Sequence, residues 1–174
     1  MLVAVGDRIF IYDAKNGEIQ NNLRAHKGAV YCLAYSRDGQ RWASGSADGT
    51  VIVWTSEGSG LLKYNHSASK VQCLSFNPVL QSLASCSDTD FGLWQTEGKE
   101  IQKWPTKSKS LDCDWSPDGQ VLAIGLYNGT ILLRDKNGAE LTIIQKSQSP
   151  VWCLRFCPQK FDTSDNILIA GSWD

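Results

Sequence analysis

A histidine, a serine and an aspartate stand close together early in the chain, as His26, Ser44 and Asp48, with Trp54 just beyond them. These three types can act as a nucleophilic relay in which the imidazole takes the serine proton and the carboxylate orients the imidazole. Hydrolases that use such a relay often hold the serine on a sharp glycine-flanked turn, where its hydroxyl reaches a carbonyl. Ser44 instead sits in Trp42-Ala43-Ser44-Gly45-Ser46, without that elbow. A hydrolase reading therefore has the residue types and lacks their usual setting.

Related residues return further along. His66, Ser85, Asp88 and Trp94 form a second set, although the turn that carries Asp88 is one residue shorter than the one that carries Asp48. A third stretch has Ile124 in the serine place, Asn128 for the aspartate and Arg134 for the tryptophan, with no histidine before it. Its polar chain is expected to be absent. Arg134, in an otherwise apolar run, reads as a guanidinium extended to solvent or towards Asp135, with a ligand or protein contact as the sharper alternative.

Six cysteines raise the question of disulfides or zinc. Cys32, Cys73 and Cys153 each follow a valine by two residues, and Cys113 falls one place later, where Leu33, Leu74 and Leu154 stand in the other copies. Positions locked to a repeat on apolar runs indicate packing, since cysteine buries as a small hydrophobe. Cys153 and Cys157 are close but have no matching second pair, which makes a poor zinc signal. No metal and no cofactor is expected, and reduced thiols suit an intracellular protein.

Lys99, Lys103, Lys107 and Lys109 surround Trp104 in the one basic cluster with an aromatic residue inside it. Such a mixture can bind phosphates or nucleic acid, but a solvated sheet edge explains it as well. Trp104, if exposed, would be an anchor for a protein partner. A net charge of -1 supplies no general field for nucleic acid. Direct insertion into a membrane is not expected either, because no apolar run approaches the roughly twenty residues a spanning helix needs. No phosphate-cradling glycine loop or paired carboxylate motif is present, so an enzyme has no positive evidence.

The elements that must position these residues are short strands. In the first complete copy they are expected at about 29–36, 40–46, 50–55 and 60–65, punctuated by Asp38-Gly39, Asp48-Gly49 and Gly58. Asp-Gly between apolar runs marks a hairpin, because glycine accepts the positive φ of a tight turn. The pattern recurs so that Trp54, Trp94 and Arg134 lie forty residues apart. A period of that length filled with strands predicts an all-β protein, an antiparallel β-propeller of the WD40 kind. The 174 residues divide into a partial blade 1–25, blades at about 26–65, 66–105 and 106–145, and a partial blade 146–174. An incomplete propeller, cut from a longer protein, is the expectation, with a composite blade made by the two ends as the alternative.

The set His26, Ser44, Asp48 and Trp54 resembles the WD40 family, in which these residues form a hydrogen-bonded chain inside a blade. The resemblance thus implies a structural role rather than a hydrolase triad. The words Val30-Tyr-Cys-Leu-Ala-Tyr35, Ala43-Ser-Gly-Ser-Ala-Asp48, Leu83-Ala-Ser-Cys-Ser87 and, above all, Asp90-Phe-Gly-Leu-Trp94 are similar to the amino-terminal propeller of the intraflagellar transport protein 122 family. That resemblance implies a non-enzymatic scaffold within intraflagellar transport complex A, found in the cytoplasm and cilium. Retrograde ciliary transport and ciliary cargo import would follow, with other complex A subunits as partners. Another WD40 scaffold, such as a vesicle-coat or ubiquitin-ligase adaptor, is the runner-up.

Overall fold

The computed structural model describes residues 1–66, 69–95, 101–158 and 167–174. All regular structure among them is antiparallel strand. The first sheet joins β1 (Leu2–Val5), β2 (Arg8–Tyr12) and β3 (Ile19–Leu23) in that order. A four-stranded sheet follows, built from β4 (Val30–Tyr35), β5 (Arg41–Ser46), β6 (Thr50–Thr55) and β7 (Gly60–Asn65). The next has β8 (Val71–Phe76), β9 (Ser82–Ser87), β10 (Asp90–Gln95) and β11 (Ile101–Pro105). A third four-stranded sheet has β12 (Ser110–Trp115), β13 (Val121–Leu126), β14 (Thr130–Asp135) and β15 (Glu140–Gln145), and β16 (Cys153–Phe156) pairs with β17 (Leu168–Gly171) in the last. Each sheet is a meander, as in a propeller blade, and the described sheets do not close into a ring.

The turns are set locally. Asp38 Oδ1 accepts the Gln40 N–H at 3.0 Å while Gly39 takes φ +68°, and Asp118 with Gly119 repeats this at 3.0 Å and φ +70°. A side chain that caps its own turn, beside a glycine free to adopt positive φ, fixes where β5 and β13 begin. The first strands of the three complete blades share an irregularity in pairing: between Val30 and Cys32, between Val71 and Cys73, and between Ser110 and Asp112. Each bulge frees one residue from the ladder and sharpens the local twist.

The core lies between the sheets, because the middle strands β5, β6, β9, β10 and β13 are buried on both faces. Ile9, Ile11, Val30, Trp42, Ile52 and Trp54 join the first sheet to the first complete blade. Val51, Val53, Tyr64, Val71, Leu74, Leu83 and Trp94 join that blade to the next. Phe91, Leu93, Trp115, Leu122 and Ile124 form the following layer, and Ala123, Ile131, Val151 and Leu154 the last. Each fully buried aliphatic or aromatic side chain contributes about 1.5–3 kcal/mol of transfer free energy, so a blade gains most of its stability from its neighbours. Polar ties align the stack. The Trp115 indole donates to the Ser75 carbonyl at 3.2 Å, and Asn77 Nδ2 donates to the Gly119 carbonyl at 2.8 Å. Asp112 and Asp114 accept the backbone N–H groups of Leu154 and Phe156, both at 2.9 Å.

Candidate functional site

In the first complete blade the polar residues meet as a chain. Strand pairing sets Leu33 opposite Ser44 and Trp42 opposite Trp54, and His26 enters from the segment before β4. His26 Nε2 lies 2.7 Å from Ser44 Oγ, and the Trp54 indole donates to the same oxygen at 2.9 Å. His26 Nδ1 lies 3.1 Å from Thr50 Oγ1 and 3.3 Å from Asp48 Oδ2. An ionised carboxylate only accepts, so the Nδ1–H tautomer fits: Nδ1 donates outward and Nε2 accepts the Ser44 proton. Trp42 stacks on Trp54 with ring centroids 5.0 Å apart and closes the chain from the other side.

The electrostatics follow from this geometry. Burial lowers the His26 pKa more than the nearby Asp48 carboxylate raises it, so the ring is held neutral. Burial alone would raise Asp48. The Thr50 hydroxyl and the backbone N–H groups of Lys27 and Thr50 outweigh that and hold it at about 2. Ser44 is wholly buried and already donates and accepts within the blade. A hydroxyl so engaged cannot reach a substrate carbonyl.

The second complete blade differs from the sequence expectation. His66 is buried, and its Nε2 lies 3.2 Å from the Ser85 carbonyl rather than reaching the Ser85 hydroxyl. Trp94 Nε1 still donates to Ser85 Oγ. The carboxylate facing His66 is that of Asp90, 3.6 Å from Nδ1, whereas Asp88 accepts from Gln72 Nε2 at 2.9 Å and pairs with Lys109 at 3.3 Å. Asp88 is thus displaced from its expected role. The hairpin between β9 and β10 is one residue shorter than that between β5 and β6, which swings Asp88 towards Gln72. Asp90 then occupies the strand-opening position that Thr50 holds in the first blade. The sequence shows the shortened turn, but which carboxylate then faces the histidine depends on how the hairpin swings.

In the third complete blade Ile124 is buried opposite Cys113, and Asn128 Oδ1 accepts only its own turn's Thr130 N–H at 3.3 Å. Arg134 does not extend to solvent or to Asp135. Its side chain is 13% exposed, its Nη2 lies 2.9 Å from Glu140 Oε2, and its guanidinium sits 5.6 Å from the Phe91 ring centroid. Asp135 is occupied by the N–H groups of Asn137 and Ala139. The hairpin brings Glu140 across from Arg134 in register, a pairing that spacing to the adjacent residue could not suggest.

Trp104 does not stand out as an exposed anchor. It is half-buried, stacks on Phe91 with centroids 5.1 Å apart, and lies directly under Gly138. The basic cluster is partly engaged within the protein: Lys103 Nζ donates to the His66 carbonyl and Lys109 pairs with Asp88, while Lys99 lies outside the described residues. Lys107 is exposed.

The cysteine pattern hid a grouping. Cys86 faces Cys73 across β8 and β9, and their sulfurs lie with that of Cys113 within 4.8 Å of one another. The hydrogen bonds with Cys113 and Cys86, and then burial, hold the Cys73 thiol well above the ordinary range. Three thiolates would crowd negative charge into the layer of Phe91, Leu93 and Leu122, whereas protonated thiols pack there as small apolar groups.

Comparison with known proteins agrees with this architecture. The chain matches the family described as IFT122 first beta-propeller over residues 1–174. It is 47% identical to the intraflagellar transport protein 122 homolog of Xenopus tropicalis, and 47% identical to that of Danio rerio, in each case over 99% of the chain and 15% of the relative. It is also 32% identical to the small ribosomal subunit protein RACK1y of Oryza sativa subsp. japonica, over 70% of the chain and 39% of that protein. The chain therefore spans about 15% of the length of the intraflagellar transport relatives.

Proposed function

The chain belongs to the IFT122 first β-propeller family, and from that membership we propose that it serves as a non-enzymatic scaffold in a subunit of the intraflagellar transport machinery. The observation that carries the non-enzymatic part is the wholly buried Ser44 hydroxyl, engaged by both Trp54 and His26. The polar set that could have been a relay is used to hold a blade together. A rigid stack with its reactive types turned inward offers its loops and rims for binding.

On this reading the intact protein works within intraflagellar transport complex A, in the cytoplasm and the cilium. Its role there is retrograde transport and the import of ciliary cargo. Its partners are other protein subunits, without nucleic acid and without direct membrane insertion. The similarity at 47% identity to proteins named for intraflagellar transport supports this over a vesicle-coat or ubiquitin-ligase adaptor. The test is affinity capture of the tagged full-length protein from ciliated cells. Recovery of the other complex A subunits, with the tag concentrated at cilia, is the expected result. Reproducible capture without any of them overturns the reading.

A further inference from the structure

Strand register sets Arg134 in the third complete blade where the first has Trp54, and Thr106 precedes β12 by the same interval as His26 precedes β4. Two large rings have been replaced by a small hydroxyl and a flexible cation. The consequence is a cavity of about 290 Å³ lined by Thr106, Lys107, Asn128, Leu132, Arg134 and Glu140, among others. Two of its polar atoms are buried without a hydrogen-bond partner among the described residues: Arg134 Nε and Thr106 Oγ1. Buried donors left unpaired are costly, and a guanidinium stays charged whatever its surroundings.

We infer that this cavity is a binding site for a compact oxyanion, a carboxylate or phosphate group. A guanidinium N–H gives such a group a charge-assisted hydrogen bond. Glu140 engages Nη2, while Nε is left for a second acceptor. Arg134 and Lys107 supply two positive charges in the lining against the single carboxylate of Glu140, whose side chain is 52% exposed. The Thr106 hydroxyl adds a neutral donor, and Leu132 an apolar wall. The volume lies at the small end of ligand cavities, which suits a small free anion or the tip of an acidic side chain from a bound segment. The site is independent of the family's role in transport.

The test uses the full-length protein and its thermal unfolding, in inorganic phosphate, in citrate, and with a capped tri-glutamate peptide, against chloride at matched ionic strength and a tri-glutamine peptide. At least one oxyanion probe raises the unfolding midpoint in a saturable way. Arg134→Gln weakens that response about tenfold or more, as expected for loss of a charge-assisted bond. Thr106→Val, which keeps the shape and removes the orphan hydroxyl, weakens it several-fold, and Lys70→Ala, outside the cavity, leaves it unchanged. A response to phosphate or citrate identifies a free anion, and one to tri-glutamate alone identifies an acidic segment. No response above the chloride control overturns the inference, as does a response that Arg134→Gln and Thr106→Val leave intact. If Arg134→Gln does not fold, Thr106→Val decides.

Discussion

His26 Nε2 and Ser44 Oγ lie 2.7 Å apart inside the first complete blade, and the same oxygen receives the Trp54 indole proton. One hydroxyl therefore links a loop, β5 and β6. Its removal should leave two ring nitrogens without partners in a dry layer.

Ser44→Ala is expected to lower stability by about 1–3 kcal/mol, the cost of stranding buried polar groups. Urea unfolding followed by tryptophan fluorescence measures this directly. An unchanged midpoint would show that the chain is not a structural tie.

Asp90 and Asp88 should separate in the second complete blade. Asp90→Asn removes the charge that faces His66 and should destabilise by about 1–2 kcal/mol, as for a partly buried charged contact. Asp88→Asn touches only Gln72 and Lys109 near the surface and should change stability by less than about 0.5 kcal/mol. The reverse order in paired denaturation curves would restore Asp88 to the histidine.

Acid should loosen the first blade in two stages. The folded-state pKa of His26 is below its ordinary 6.5, so the unfolded chain takes up that proton first. The His26 contribution is complete above pH 6.5 and declines as pH falls. Asp48, at about 2 when folded against 3.8 ordinarily, contributes fully above pH 3.8 and loses its contribution as pH falls from there to about 2. Asp114, whose carboxyl is raised by burial, acts in the opposite sense just above its ordinary value. Stability measured from pH 7 downwards should fall in wild type, and in Asp48→Asn the lower stage should flatten.

Gly138→Ala should be among the most damaging small changes. Gly138 takes φ +88°, and an added Cβ would lie 2.3 Å from the Trp104 ring. The backbone conformation and the collision act together, so a loss of about 2–4 kcal/mol is expected, with a change in Trp104 emission. A near-neutral effect would mean that the hairpin and Trp104 do not bear on each other.

Much of the fold is legible in the sequence. Asp38-Gly39 and Asp48-Gly49 mark their turns because the capping carboxylate and the positive φ are local properties. The His26, Ser44, Asp48 and Trp54 set could be placed because its members recur at strand positions of a forty-residue period. The errors fell where local rules meet the packing of distant parts. A hairpin shortened by one residue exchanged Asp88 for Asp90, and the sequence rule carried no means to measure that rotation. Arg134 reads in sequence as extended to solvent or towards Asp135, or as a ligand or protein contact, whereas the β-hairpin makes Glu140 its partner. Trp104 would anchor a partner only if exposed, and its stacking on Phe91 beside Gly138 depends on residues that sequence spacing does not bring together.

The sequence by itself determined the strands, the turns and the blade repeat, since these depend on residues within a few positions of one another. Only the tertiary structure decided which side chains share a space. The gathering of Cys73, Cys86 and Cys113, the exchange of carboxylates beside His66, and the cavity below Arg134 all arise where strands from different blades or hairpins meet. Hydrogen bonds and excluded volume act over a few ångströms in space, and distance along the chain does not measure that.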